Sequence, residues 1–148
     1  KNNFILPNLA GFFFSVFAGG KMKYKFLSAW TKQNERQNLY FFSLRKTSDQ
    51  YAIFFKKSDR FLQINLASED SFCFFSEYEQ LSFLEHKNLS LFKRYLANAN
   101  LREISISQSD RIIFLHFEKT DIYNQKEKLL LILEFIPHYL NLILTKKN

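Results

Sequence analysis

The sequence predicts an α+β domain in which two antiparallel β-sheets, with about eight strands in all, pack together and are flanked by two helices. Three observations predict this class. The chain has 148 residues, the usual size of one domain. Hydrophobic residues make up 47% of it, which is enough to build a core. Most of the chain alternates between apolar and polar residues, and only two segments have helical spacing. We therefore expect residues 1–148 to form a single domain.

The first segment has the spacing of a helix. Its apolar side chains recur at helical intervals: Leu9, Phe12, Phe13, Val16 and Phe17. Pro7 suits the first turn and Gly19-Gly20 suits the end, so we expect a helix over residues 7–18. The alternative is a secretory signal, because an apolar run separates Lys1 from the small residue Ala18.

Period-2 alternation follows this segment. Met22, Tyr24 and Phe26 alternate with three lysines, Lys21, Lys23 and Lys25. Later segments are rich in aromatic and β-branched residues, which favours strands over helices. The pattern predicts strands over residues 21–29, 38–45, 51–57 and 61–66.

Residues 67–88 are acidic and aromatic with no clean period, so we interpret them as a long connection with one short helix. A second helix is expected over residues 88–98, where Leu89, Phe92 and Leu96 share one face. Asn98 can end it, because asparagine tolerates the left-handed backbone region. Four further strands are expected over residues 101–107, 111–118, 128–136 and 139–146.

The charge is strongly positive and unevenly placed. The formal net charge is +7. Residues 1–60 carry 11 Lys/Arg and 3 Asp/Glu, residues 61–86 carry none and 5, and residues 87–148 carry 10 and 6. A basic domain attracts phosphate, which favours nucleic acid as a partner. The alternative is a lysine-rich surface that is simply solvated.

The sequence lacks the residue patterns that most enzymes and cofactor-binding proteins use. The three histidines, His86, His116 and His138, are far apart in sequence, so no clustered zinc ligands are present. Cys73 sits in an apolar run and is interpreted as a small buried hydrophobe. Three glycines cannot form a phosphate-binding loop. We expect no enzyme activity, no metal and no cofactor.

The expected location is the cytoplasm. A single cysteine suits a reducing compartment. No apolar stretch is long enough to span a bilayer, so we expect no membrane association.

Exposed aromatic side chains flanked by cations bind single-stranded nucleic acid by stacking on its bases. Trp30, Tyr40 and Tyr51 are candidates for this role. The alternative is that they fill the core, as most of the 19 phenylalanines do.

The segment 89–145 carries a more specific pattern. A basic amphipathic helix is followed by a strand, by the pair Asp110-Arg111 opening an apolar strand, and by a closing hairpin that ends in Asn141–Thr145. This order resembles the N-terminal NFACT domain of ribosome quality-control factors, also known as fibronectin-binding protein A. Gly19-Gly20-Lys21-Met22 is similar to the family's step from its first helix into its first strand. The chain departs from the family pattern at Asn2-Asn3 and at Pro137–Leu140.

The resemblance implies a β-sandwich flanked by helices, similar to the N-terminal domain of formamidopyrimidine-type DNA glycosylases. It also implies an RNA-binding module, with tRNA and ribosomal RNA of the large subunit as partners, that acts on stalled nascent chains. The Asp110-Arg111 pair would then engage tRNA. The alternative for the pair is a surface ion pair, and the alternative function is an adhesin-like protein-binding domain.

Arginine suits the RNA-binding role because its planar guanidinium grips phosphate with two hydrogen bonds or stacks on a base. We expect further contacts from the basic face of the second helix. A second stripe of lysines on the first strand would add to them. The expected nucleic-acid contacts are Asp110, Arg111, Lys93, Arg94, Lys21, Lys23 and Lys25.

Overall fold

The computed structural model describes residues 20–66, 71–77, 82–136 and 139–147. The expected helix over residues 7–18 lies outside these ranges. The helices are α1 (Gly20–Gln33) and α2 (Ser90–Leu96), the second preceded by a 3-10 turn at Lys87–Leu89. The strands are β1 (Arg36–Thr47), β2 (Gln50–Phe55), β3 (Phe61–Asn65), β4 (Phe72–Ser76), β5 (Asn100–Ile106), β6 (Ile112–Thr120), β7 (Lys126–Ile136) and β8 (Tyr139–Lys146).

The prediction of a strand over residues 21–29 is wrong, because this segment lies in α1. The period-2 alternation hides a helical stripe in which Tyr24, Leu27 and Thr31 follow one another at intervals of three and four residues. Leu27 is 0% exposed and Thr31 is 4% exposed, so burial follows this stripe. The expected helix-to-strand step at Gly19–Met22 is wrong for the same reason, since the first strand begins at Arg36.

The α+β class, with eight antiparallel strands and two helices, is confirmed. The strands form one sheet in the order β4-β3-β2-β1-β5-β6-β7-β8. β1 joins two groups of strands, β2 to β4 on one side and β5 to β8 on the other. Its residues Phe41–Thr47 pair with β2, and its residues Arg36–Tyr40 pair with β5. The two expected sheets are therefore continuous through this twelve-residue strand.

β4 is a strand that the sequence analysis did not predict. Its first four residues, Phe72–Phe75, are an unbroken apolar run, and four of its five residues are buried. A strand covered on both faces shows no alternation, which is why its pattern gave no strand signal. One cover of this part of the sheet is the segment around Phe83, which packs against Ala52 and Phe61.

One hydrophobic core connects both groups of strands and both helices. It contains Leu27 of α1, Leu44 of β1, Leu96 of α2 and Leu131 of β7, each 0% exposed. α2 is shorter than expected, but its apolar face is oriented as predicted. It ends before Asn98, whose φ of 64° lies in the left-handed region. The helices and sheet together position α2, which precedes β5, and the Asp110-Arg111 turn, which follows it.

Candidate nucleic-acid interface

The turn between β5 and β6 carries Asp110 and Arg111. Backbone hydrogen bonds hold it on both sides. The amide of Ile112 donates to the carbonyl of Asp110 at 2.8 Å, and the amide of Phe135 on β7 donates to the carbonyl of Arg111 at 2.8 Å. The backbone of this turn is therefore fixed by the sheet.

Asp110 is exposed and Arg111 is half-buried. Ser109 Oγ donates to Asp110 Oδ2 at 3.4 Å. In the part of the chain that the structure describes, Arg111 forms no ion pair, either with Asp110 or with another carboxylate. The surface ion pair considered as the alternative for these residues is absent from that part of the chain. The guanidinium can therefore accept an external anion without first breaking an internal pair.

α1 is tied to the same turn by Tyr24. Its hydroxyl lies 2.7 Å from the carbonyl oxygen of Ser107 and 2.9 Å from that of Gln108. Lys25, the next residue, is exposed. The tie brings the end of α1 that carries Lys25 to the turn that carries Arg111.

The predicted lysine stripe does not form as expected. Lys21, Lys23 and Lys25 were placed on one face of a strand, but all three positions lie in α1. Successive helical residues are rotated by about 100°, so positions two apart fall on different faces. Only positions 21 and 25, four residues apart, share a face.

α2 carries the other predicted cations, Lys93 and Arg94. Lys93 Nζ forms an ion pair with the Glu85 carboxylate. Arg94 is exposed, and its guanidinium carbon lies 5.4 Å from the centroid of the Tyr95 ring. Arg94 is thus the freer of the two cations, and its stacking on Tyr95 is the geometry that arginine also uses on a nucleobase.

The predicted cations therefore form two groups. α2 precedes β5 and the Asp110-Arg111 turn follows it, so the seven residues of β5 separate the groups. At about 3.3 Å per residue the separation is roughly 20 Å. An open depression of about 510 Å³ adjoins the α2 group, and three of its six lining side chains are cationic against one carboxylate: Glu85, His86, Lys87, Ser90, Lys93 and Arg94.

The aromatic candidates are sorted by their exposure. Trp30 packs against Phe75 with 5.8 Å between ring centroids, and Tyr51 is half-buried with Lys46 Nζ 5.3 Å from its centroid. Tyr40 is 48% exposed. Phe42, which the sequence analysis did not single out, is 57% exposed. Phe42 lies two residues after Tyr40, so period-2 alternation places it on the same strand face, and this spacing is the sequence signal that marks it.

The remaining reactive groups have structural roles. Burial raises the pKa of the Cys73 thiol, as expected for a buried hydrophobe. His116 lies on the face of β6 with Nε2 2.8 Å from Ser105 Oγ. Within the described ranges, no three His, Cys, Asp or Glu side chains lie together as a metal site would require. None of the helices there is long and apolar enough to cross a membrane.

A comparison with protein families matches residues 56–148 to the family described as NFACT N-terminal and middle domains. The match covers more than half of the chain. It includes the Asp110-Arg111 turn, α2 and strands β5 to β8. No curated protein sequence matches the chain.

Several solved structures share the fold. The N-terminal part of the fibronectin/fibrinogen-binding protein from Streptococcus suis has a TM-score of 0.67 and 16% identity over 82% of this chain and 46% of its own. The N-terminal domain of the fibronectin-binding protein PavA from Streptococcus pneumoniae has a TM-score of 0.69 and 15% identity, over 83% of this chain and 51% of its own. The fibrinogen binding protein from Staphylococcus aureus has a TM-score of 0.65 and 14% identity, over 87% of this chain and 47% of its own. The chain spans about half the length of these proteins.

Proposed function

The chain belongs to the family of NFACT N-terminal and middle domains, and from that premise we propose that it is an RNA-binding module. Its ligands are tRNA and ribosomal RNA of the large subunit, in the quality control of stalled nascent chains. The role is one of binding, with no catalytic step and no cofactor, and a ribosomal role places the protein in the cytoplasm.

The state of Arg111 is the observation that carries the proposal. The guanidinium stands at a turn whose backbone is hydrogen-bonded to β7 and, through Tyr24, to α1. In the described part of the chain it is not committed to a carboxylate. The planar fork of a guanidinium is pre-organised, so it loses little conformational freedom for each hydrogen bond that it forms with a phosphate.

The distribution of charge supports the same ligand. The net charge of +7 raises the local concentration of polyanions and speeds their association. Arg111 and Lys25 lie at one end of β5, and Arg94 lies at the other. Cations about 20 Å apart on one protein can engage separated phosphates of the same RNA.

Titration of labelled tRNA at several salt concentrations tests the proposal. Each neutralised phosphate contributes a slope of roughly 0.7 to 0.9 in log K against log salt. The variant Arg111→Ala should bind tRNA more weakly, and the magnitude of its salt slope should fall by the contribution of about one phosphate contact. Arg111→Lys should fall between Arg111→Ala and wild type, because lysine keeps the charge but not the fork.

Lys126→Ala is the matched control. Lys126 is exposed and begins β7, in register with Thr120 at the end of β6, and its Nζ lies 3.7 Å from the Glu118 carboxylate. This variant therefore removes one positive charge far from the turn. Equal losses for Arg111→Ala and Lys126→Ala would show that Arg111 has no specific contact. Absence of salt-dependent tRNA binding by the wild type would refute RNA binding itself.

A second candidate function is protein binding of the adhesin type. It is favoured by the names of the similar structures, which describe fibronectin-binding and fibrinogen-binding proteins. This role would place the protein outside the cell. Binding to immobilised fibronectin and fibrinogen, measured beside tRNA binding at the same salt concentration, separates the two functions. Saturable binding to either protein without tRNA binding would favour the adhesin role.

A further inference from the structure

Two aromatic rings are exposed in the middle of β1. Tyr40 is 48% exposed and Phe42 is 57% exposed, whereas Phe41 between them is 2% exposed. The register between β1 and β2 shifts between Phe41 and Ser43, so Phe42 is the extra residue of a β-bulge. Burial alternates from Tyr40 to Ser43, which is 5% exposed, so the Tyr40 and Phe42 rings lie on the same solvent-exposed face of β1.

The spacing of these two residues suits a flat aromatic ligand. Residues two apart on a strand are separated by about 7 Å along the backbone. Stacked bases rise about 3.4 Å each, so one base between two rings spans roughly the same distance. Tyr40 and Phe42 can therefore stack with one unpaired base between them or with two successive bases.

Two lysines flank the aromatic pair. The amide of Lys56 donates to the carbonyl of Tyr40 at 2.8 Å, which places the Lys56-Lys57 turn directly beside the rings. Both lysines are exposed. Lys56 Nζ donates to Asn98 Oδ1 at 2.8 Å, a neutral partner that a phosphate oxygen can replace. Neither lysine is ion-paired within the described ranges, although Asp59 lies in the same turn.

The strand that carries Tyr40 and Phe42 also contacts the segment that follows α2. The amide of Phe41 donates to the carbonyl of Ala99 at 2.8 Å, so β1 lies against the turn that follows α2. That turn contains Asn98, the partner of Lys56, and Arg94 lies one helical turn earlier. The segment that follows α2 therefore lies beside β1 at the aromatic pair.

We propose that Tyr40 and Phe42 form a stacking site for the unpaired bases of a single-stranded RNA segment, whose phosphates contact Lys56 and Lys57. The inference rests on the proposed function and narrows its ligand, since duplex RNA has no free base faces to offer. Exposed aromatics beside cations are the combination that single-strand binders use. A protein partner would be matched by the rings but would not require the two lysines.

The Asp110-Arg111 turn lies at the other end of β5, roughly 20 Å away. At about 3.4 Å per stacked nucleotide this distance corresponds to about six nucleotides. A single strand of about ten nucleotides is therefore long enough to occupy both places, whereas one of four nucleotides is too short.

Fluorescence anisotropy of end-labelled RNA tests the site. The probes are a ten-nucleotide oligouridylate, a four-nucleotide oligouridylate and a ten-base-pair RNA duplex, each titrated with the full chain. The ten-nucleotide strand should bind best. Stacking of each base on an aromatic ring is worth about a 5- to 150-fold difference in affinity, so Phe42→Leu and Tyr40→Leu should each weaken binding of this strand at least fivefold. Leucine keeps the apolar surface, so these variants test the ring itself.

Tyr123→Leu is the matched control, because Tyr123 is 77% exposed in the loop between β6 and β7. It should leave binding of all three probes unchanged. The double variant Lys56→Gln, Lys57→Gln should weaken the single strand and lower its salt slope by about two contacts. Unchanged urea midpoints confirm that every variant is folded.

The outcomes separate this inference from the proposed function. If no nucleic acid binds in a salt-dependent way, RNA binding itself is refuted. If RNA binds but Phe42→Leu and Tyr40→Leu behave like Tyr123→Leu, the stacking site is refuted and RNA binding remains. If the two leucine variants lose fibronectin or fibrinogen binding but keep RNA affinity, the platform belongs to a protein partner and the inference is overturned.

Discussion

The hydroxyl of Tyr24 donates to the carbonyl of Ser107 at 2.7 Å, across 83 residues of sequence. This bond joins α1 to the turn that carries Asp110 and Arg111. The same hydroxyl lies 2.9 Å from the carbonyl of Gln108, so one side chain contacts two consecutive peptide groups. The position of the proposed tRNA contact therefore depends on a helix that the sequence pattern assigned to a strand.

Tyr24→Phe removes this tie and leaves the ring in place. A typical hydrogen bond contributes about 0.5–1.5 kcal/mol, so the free energy of unfolding should fall by that amount. tRNA affinity should also fall modestly, because the turn is less firmly held. Urea unfolding and tRNA titration measure the two effects. Tyr123→Phe changes an exposed ring in the same way and should alter neither, and a Tyr24→Phe protein identical to wild type would show that the tie does not hold the turn.

Glu85→Gln should raise the affinity for tRNA. Glu85 holds Lys93 in an ion pair, so its neutralisation frees one cation beside Arg94. The salt slope of log K should become steeper by roughly 0.7 to 0.9 if Lys93 then reaches a phosphate. Stability should change by about 0–1 kcal/mol, as for other exposed pairs.

The matching control is the double variant Glu85→Gln, Lys93→Gln, which has the same net charge as the wild type. It should return the slope to the wild-type value or below. An unchanged slope in Glu85→Gln would show that Lys93 does not reach RNA even when released.

Stability should depend on pH through His116. Burial and the Lys147 ammonium lower the pKa of His116 from its ordinary value of 6.5, and Glu103 opposes them. A histidine whose pKa is lowered in the folded state is protonated at a lower pH there than in the unfolded chain, so acid favours unfolding. The stabilising contribution is therefore complete above about pH 6.5 and is lost as pH falls from 6.5 toward the folded pKa.

Urea unfolding at pH 7.5 and pH 5.5 measures this effect, in a range above the ordinary pKa values of the carboxylates. His116→Gln should lose less stability between the two pH values than the wild type does. Lys147→Gln should also lose less, since it removes a cation 3.3 Å from Nδ1. A pH dependence that is identical in wild type and His116→Gln would rule out His116 as its source.

Leu44→Ala should lower the free energy of unfolding by about 2–5 kcal/mol. Leu44 is 0% exposed and belongs to the strand that both groups of the sheet share, so the cavity would lie at their junction. Leu84→Ala is the control, because Leu84 is 68% exposed and its link to Lys46 is through the backbone. Its effect should remain within about 0.5 kcal/mol. Equal effects of the two changes would place Leu44 outside the core.

Much of the fold follows from patterns that a sequence displays directly. The strand over residues 101–107 was predicted because Ile104 and Ile106 alternate with Glu103 and Ser105, and the structure has β5 there. α1 was missed because its positions fit two periods at once, and only packing against β5 decides between them. β4 was missed because burial on both faces erases alternation.

The site was predicted unevenly for a similar reason. Asp110 and Arg111 were proposed from the family resemblance and from their place before an apolar strand, and Arg94 from the polar face of a helix, and their contacts with RNA stay predictions. Phe42 was not singled out, because the sequence alone does not show which face of β1 is exposed, although its place two residues after Tyr40 puts both residues on one face. The pairing of Lys93 with Glu85 was hidden too, since eight residues of irregular backbone and helix separate them.

Because β1 borders both groups of strands, the domain cannot be divided into two self-sufficient pieces. A backbone cut inside Arg36–Thr47 would strip β2 and β5 of hydrogen-bonding neighbours at the same time. A cut in the exposed loop at residues 121–125 would leave that shared border whole. A cut in this loop separates β7 and β8 from the rest of the sheet, and β6, which pairs with β7, would serve as the template on which that piece reassembles. Fragment complementation should therefore succeed at this loop and fail for cuts inside β1.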